Sequence, residues 1–188
     1  MTTTTITSQI PGLVPGTWTI DPAHSDVSFA VRHMMVSRVR GSFKSFDGEI
    51  VVADDLTTSS VNATIDVNSF DTGNADRDAH IRSADFLDIE RYPRMTFRST
   101  QVRPSDDHYL VDGELTLHGV TRPLTLEMEV GGVTTDPYGN LRLGLSATTE
   151  INRRDFGIDI TMPLEAGGVV VGDKVKITLD VEAIHPLA

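Results

Sequence analysis

Nearly every long segment of this 188-residue chain alternates apolar with polar residues. In the last such run Val175, Ile177, Leu179, Val181 and Ala183 alternate with Lys174, Lys176, Thr178, Asp180 and Glu182. The same beat of two marks Val27, Phe29 and Val31, then Val61, Ala63, Ile65 and Val67. It returns in Leu124, Leu126, Met128 and Val130, and in Leu141, Leu143, Leu145 and Ala147. Side chains on a strand point to opposite faces in turn, so each run has one dry and one wet face. Strands with nothing else to cover their dry faces must curl onto one another.

Strands are predicted over residues 17–20, which hold the only tryptophan (Trp18), and over 26–33, 41–52, 58–67, 95–102, 109–117, 123–130, 141–151 and 174–184. Asp47 and Gly48 mark a bend, and residues 156–168 are irregular and interrupted by Pro163. The alternation stops over residues 74–88. There Ala75, Ala79 and Ile81 suit a short helix, with Asn74 or Asp76 as its cap and an acidic first turn. About eight antiparallel strands with one helical insert predict an all-β closed barrel over residues 16–188, behind a Thr-rich mobile tail over 1–15. A doubly wound fold is disfavoured because helices do not alternate with strands. An eight-stranded barrel is either filled by its side chains or holds one small ligand, and the alternation leaves both open. The inward set is apolar, so any cavity should prefer an apolar ligand.

Composition removes several function classes. The chain has no cysteine, which excludes disulfides, thiol nucleophiles and cysteine metal sites. Its formal net charge is -11, and its longest basic run is Arg153-Arg154. Neither nucleic acid nor a docked anionic membrane is therefore an expected partner. No stretch approaches the length needed to span a bilayer, so stable membrane insertion is not expected. The start lacks the basic and apolar regions of a secretory signal, which makes the cytoplasm the default location.

Polar motifs are sparse. Among six histidines none has HExxH spacing or a partner one helical turn away, so no metal is expected. His33 falls on the inward beat after Val31. It would contact a ligand inside the barrel, or be a buried histidine satisfied by the fold. Arg77, Asp78 and His80 lie within one turn of the predicted helix. Such a group either holds a headgroup or ties the helix to the barrel rim. His24 and Arg153 are further rim candidates, Arg153 to meet a pyrophosphate or surface carboxylates. His118-Gly119 reads as a tight turn. Residues 167–174 only faintly resemble a phosphate loop, there is no GxGxxG, and Ser146 lacks a glycine-flanked elbow. No catalytic residue and no cofactor is assigned.

An ordered set of short motifs adds to this reading. They are WTIDPAHS at 18–25, FAVRH at 29–33, GSF at 41–43, FDG at 46–48 and RDAHIRSADF at 77–86. YP at 92–93, TF at 96–97, GELTLHGVT at 113–121, NRRDFG at 152–157 and VGDKV at 171–175 follow. In order and spacing the chain resembles the YceI family of lipocalin-like, polyisoprenoid-binding proteins, over about residues 16–184. The resemblance implies an extended lipocalin-like antiparallel barrel with an elongated apolar tunnel, often in a homodimer. It implies an isoprenoid-like partner of polyisoprenoid or quinone type, bound, sequestered or transported. Strand parity then gives Phe29, Val31, Ile65, Phe97, Leu115, Leu117, Leu143, Leu145 and Val181 as lining candidates, with His33 among them. Two other readings stay open: an enzyme acting on such a ligand through His24, Arg77, Asp78 or His80, and a filled, stress-related interaction barrel.

Overall fold

A computed structural model describes residues 10–161 and 170–186 of the protein. Its strands are β1 (Gly16–Ile20), β2 (Asp26–His33), β3 (Ser37–Phe43), β4 (Phe46–Val52), β5 (Ser60–Asp66) and β6 (Phe70–Asp71). Helix α1 (Ala75–Arg82) follows, then β7 (Arg94–Ser105), β8 (His108–Leu117), β9 (Val120–Thr135), β10 (Leu141–Asn152) and β11 (Val171–His185). All neighbouring strands pair antiparallel in one sheet. Eight of them, in the order β1-β4-β5-β7-β8-β9-β10-β11, close because β11 also pairs with β1. The other three, β2, β3 and β6, extend the sheet from β11.

β11 spans roughly 45–50 Å at the usual rise per residue. It pairs with β10 from Lys174 to His185. Its other edge is shared, β2 taking Val171 to Asp180 and β1 taking Ala183 and Ile184. Two bulges break the parity of the walls. Thr100 is skipped between the pairs Ser99↔Gly113 and Gln101↔Asp112, and Gly131 between Val130↔Leu145 and Gly132↔Gly144. An extra residue swaps inward for outward, so Phe97 and Val102 both lie in the core although they are five apart.

Several boundaries differ from the sequence reading. The run 41–52 is two strands, broken at Lys44 and Ser45, and Gly48 lies inside β4 opposite Ala63 rather than at a bend. The break is held from outside: Lys44 N–H donates to Ser69 O (3.2 Å) and Asp66 N–H to Ser45 O (2.9 Å). The helix is shorter than residues 74–88. Asn74 caps it, its side chain accepting from Arg77 N–H, and a turn takes over at Ser83. A 3₁₀ turn, Arg153–Phe156, opens the irregular segment; residues 162–169 of that segment, with part of the faint phosphate-loop motif, lie outside the described residues.

Residues 10–15, read from composition as tail, pack onto one pole of the barrel; residues 1–9 lie outside the described residues. Leu13 is buried, and Ile10 and Val14 pack beside it against Trp18, Leu143 and Ala183. Trp18 has no exposed surface, donates its Nε1–H to Val14 O (3.1 Å) and stacks on His185 at 5.1 Å between ring centroids. Replacing it with alanine removes both the ring and the bond that fixes this plug. Trp18→Ala is expected to destabilise the fold by about 3–5 kcal/mol, read as a lower urea midpoint by circular dichroism. An unchanged midpoint would show that the plug contributes nothing.

Candidate functional site

The dry faces do not fill the barrel. Two cavities, of about 200 and 530 Å³, lie on the inward side. The smaller is lined by Ile65, Phe97, Leu115, Leu143, Leu145 and Val181, and the plug residues Ile10 and Leu13 bound it at their pole. The larger is lined by Phe29, Val31, His33 and Leu117, and it reaches α1 and the base of the β2–β3 hairpin. Met95 and Ile177 line both. The two spaces therefore adjoin at these residues, the waist between them, and β11 runs along both: Val181 and Leu179 line the smaller, Ile177 lines both, and Val175 lines the larger.

Two glycines help to keep the space open. Gly41 sits directly opposite Phe29, and a Cβ there would lie 2.6 Å from Phe29 Cζ. A Cβ on Gly113 would lie 2.5 Å from Phe97 Cζ. Each ring occupies wall space that any side chain on its neighbour would fill. Phe29 also stacks on Phe70 at 5.1 Å and contacts Phe43 at 5.7 Å, which fixes the wall of the larger cavity.

Most polar rim candidates are engaged in holding the fold. Asp78 is buried, and its carboxylate accepts from the backbone N–H and hydroxyl of Thr72. Arg77 donates Nε–H to Thr72 Oγ1 (2.7 Å) and Nη2–H to Thr72 O (2.9 Å). Arg82 reaches back to the carbonyls of Asn68 and Phe70. The Arg-Asp pair thus anchors α1 to β6. Arg77 and His80 still border the larger cavity, His80 paired with Asp85 at 3.0 Å; Asp78 does not border it.

Arg153 borders the larger cavity, with its guanidinium engaged by backbone carbonyls. It is buried and donates to Gly172 O (3.0 Å), Ile158 O (2.6 Å) and Val171 O (3.4 Å), with Asp173 at 3.3 Å. Burial lowers its pKa from the usual guanidinium value, and Asp173 opposes that shift. Its role is to hold the start of β11. His24 lines neither cavity; it sits in the β1–β2 connection with Nδ1 2.7 Å from Asp21. His118 and Gly119 both have positive φ, as the tight turn requires, and His118 Nδ1 lies 3.0 Å from Phe156 O. His33 differs from all of these. It faces the larger cavity with no side-chain hydrogen bond among the described residues.

The waist residues were missing from the sequence candidates, although Met95 shares the parity of Phe97 and Ile177 that of Val181. Asp21, His24 and Glu182 bring ligand atoms within 4.8 Å of one another. The positive charge at that cluster is already supplied by Arg142, whose Nη1 lies 3.0 Å from Asp21 and 2.7 Å from Glu182. Arg142 Nε also donates to Asp136 (2.9 Å), so the group straps the β9–β10 loop to the β1–β2 connection.

Comparison with known proteins gives a consistent result. The YceI-like domain model matches residues 18–183. Protein YceI of Salmonella newport is 42% identical over 136 residues, covering 72% of this chain and 71% of the relative. A UPF0312 protein of Vibrio cholerae is 41% identical over 140 residues, covering 73% and 74%. Among solved structures, BcnA of Burkholderia cenocepacia superposes with a TM-score of 0.75 at 25% identity, over 87% of this chain and 98% of that one. A polyisoprenoid binding domain from Saccharophagus degradans, at 16% identity and a TM-score of 0.65, shares the fold over 92% and 100% of the two chains.

The Arg142 strap makes the fold acid-sensitive. The backbone N–H of Asn140 is foremost in holding the Asp136 carboxyl down at about 2, with Arg142 and Tyr138 N–H adding to it. An unfolded aspartate titrates near 3.9. The stabilisation is thus complete above about pH 4 and is lost as the pH falls through 2. The urea midpoint should drop across that window, and Asp136→Asn should flatten the drop. An equal drop in both proteins would remove Asp136 as its source.

Proposed function

The chain belongs to the YceI family, and we propose that its barrel binds a long, apolar, isoprenoid-like molecule of polyisoprenoid or quinone type, for sequestration or transfer rather than turnover. The observation that carries this reading is the pair of cavities on one apolar inward face that adjoin at Met95 and Ile177. A filled barrel has no such space. Each buried CH₂ contributes about 0.8 kcal/mol, so a five-carbon unit gains about 4 kcal/mol before ordering costs. An extended chain passing the waist collects that gain from both cavities. The walls offer it few polar partners, which favours a hydrocarbon over a sugar or a peptide. His33, with no side-chain hydrogen bond among the described residues, would meet a polar headgroup at the wide end, with Arg77 and His80 bordering the same cavity. Binding rather than catalysis is favoured because Asp78 and Arg77 are held by Thr72 and hold α1 in turn.

Solvent extraction of freshly purified protein followed by mass spectrometry should release an apolar chain, or the emptied protein should take one up. Leu145→Trp fills the inner cavity and should cut loading at least about tenfold, given the loss of about one five-carbon unit, with an unchanged unfolding midpoint. Ile177→Trp closes the waist and should exclude long chains while short ones still enter the larger cavity. A barrel that neither carries nor accepts an apolar ligand defeats the reading. Equal loading of Leu145→Trp would remove the inner cavity from the site.

A further inference from the structure

The β2–β3 hairpin ends in the turn residues Met34, Met35 and Val36, which are 44%, 52% and 83% exposed. Among the described residues the other exposed large hydrophobics, Val51 and Tyr138, stand singly. The turn itself is a poor host for these side chains. Val36 N–H donates to His33 O (3.2 Å), and Met34 and Met35 have φ of 51° and 62°. A turn with positive φ at both central positions favours Asn-Gly, and two methionines there work against the backbone. Packing does not account for them, because the side chains remain exposed.

Directly behind the tip, on the outer face, Arg32 sits opposite Arg38 across the two strands. Like charges in that position repel. Arg40 pairs opposite Ala30, whose other neighbour is Lys176 on β11. Among the described residues none of Arg32, Arg38, Arg40 and Lys176 has an ion pair. The same concave outer face carries Glu127, Glu150 and Asp173; Glu150 sits opposite Lys176 and 3.8 Å from Lys174, and Asp173 is paired with Arg153 and Arg154. Lys176 thus faces Glu150 across β10 and β11, so among the described residues three arginines without an ion pair, Arg32, Arg38 and Arg40, gather behind an apolar tip in a chain of net charge -11. The three arginines lie within nine residues of sequence, but only the hairpin pairing sets Arg32 beside Arg38.

We propose that this hairpin is a membrane-docking element, with Met34, Met35 and Val36 entering the interface of an anionic bilayer and Arg32 and Arg38 meeting its phosphates. A bilayer fits better than a protein partner. The apolar surface is a narrow convex tip of three residues, far short of the roughly 800 Å² per partner in a stable protein interface. At the usual strand rise, the arginines lie roughly 7–10 Å behind the tip, which matches the roughly 5–10 Å to which interfacial elements enter the headgroup region. His33, which precedes the turn, and Val31 and Val39, the next inward pair behind it, line the larger cavity. Docking would therefore set the wide end of the barrel against the lipid. The docking itself rests on the hairpin alone and does not need the cargo of the proposed function.

The test uses the full chain, emptied by extraction, and vesicles free of isoprenoids: phosphatidylcholine alone, or mixed with phosphatidylglycerol. The protein should co-sediment with the anionic vesicles, weakly with the neutral ones, and less as salt rises. Met34→Asn combined with Met35→Gly gives the turn the residues it favours, so it should fold at least as stably while losing most vesicle binding. Arg32→Gln combined with Arg38→Gln should lower binding to anionic vesicles about tenfold or more and remove most of the salt dependence, again without loss of stability. No co-sedimentation of the wild-type protein, or equal binding by both double variants, overturns the proposal. So does a wild-type dimer, seen by sedimentation velocity, that the Met34→Asn/Met35→Gly variant converts to monomer with vesicle binding unchanged, for the tip would then be a contact between copies.

Discussion

The barrel exists because one strand finds hydrogen-bond partners along both edges. β11 meets β10 along nearly its whole length, and no single strand matches it on the other side. β2 and β1 divide that edge between them. The division gives the molecule two dissimilar ends. Where β1 takes over, the sheet closes into eight strands, and Trp18 and the segment before it plug the pole. Where β2 runs, the sheet continues into β3 and β6, and α1 covers the remaining gap. Two apolar cavities, one bounded by the plug and the other by a helix and a hairpin, follow from that single sharing of an edge.

The polar chemistry is distributed accordingly. Burying an unpaired guanidinium or carboxylate is costly, so charged side chains near the walls are tied to backbone groups. Arg153 is held by three carbonyls, Asp78 by Thr72, and Arg142 by three carboxylates. These ties fix the loops and leave the lumen apolar. His33 stands outside the scheme, placed by strand parity where an aliphatic residue would be expected.

Much of the fold was legible because period-two patterning is a direct record of which face is dry. Parity placed Phe29, Val31, Ile65, Leu115, Leu143, Leu145 and Val181 on cavity walls. It worked because the bulges at Thr100 and Gly131 fall outside those runs. What parity could not show was three-dimensional. The plug at residues 10–15 has no periodicity, and its burial depends on a barrel end reached only after folding. Arg153 looked like a surface cation because the carbonyls that hold it come from residues 158, 171 and 172. The basic face behind the hairpin comes from Arg32, Arg38 and Arg40, and it is the β2–β3 pairing, not their spacing in sequence, that brings Arg32 and Arg38 side by side.

The rings of Phe29 and Phe97 rest in the places left by Gly41 and Gly113. A methyl group at either position would meet both the ring and a backbone carbonyl, Asp71 O at 2.8 Å or Arg98 O at 2.6 Å, so these walls depend on two positions that contribute no side chain to them. A side chain at either glycine would therefore require the strands to shift, so the shape of the walls is set as much by what these two positions lack as by the residues that line them.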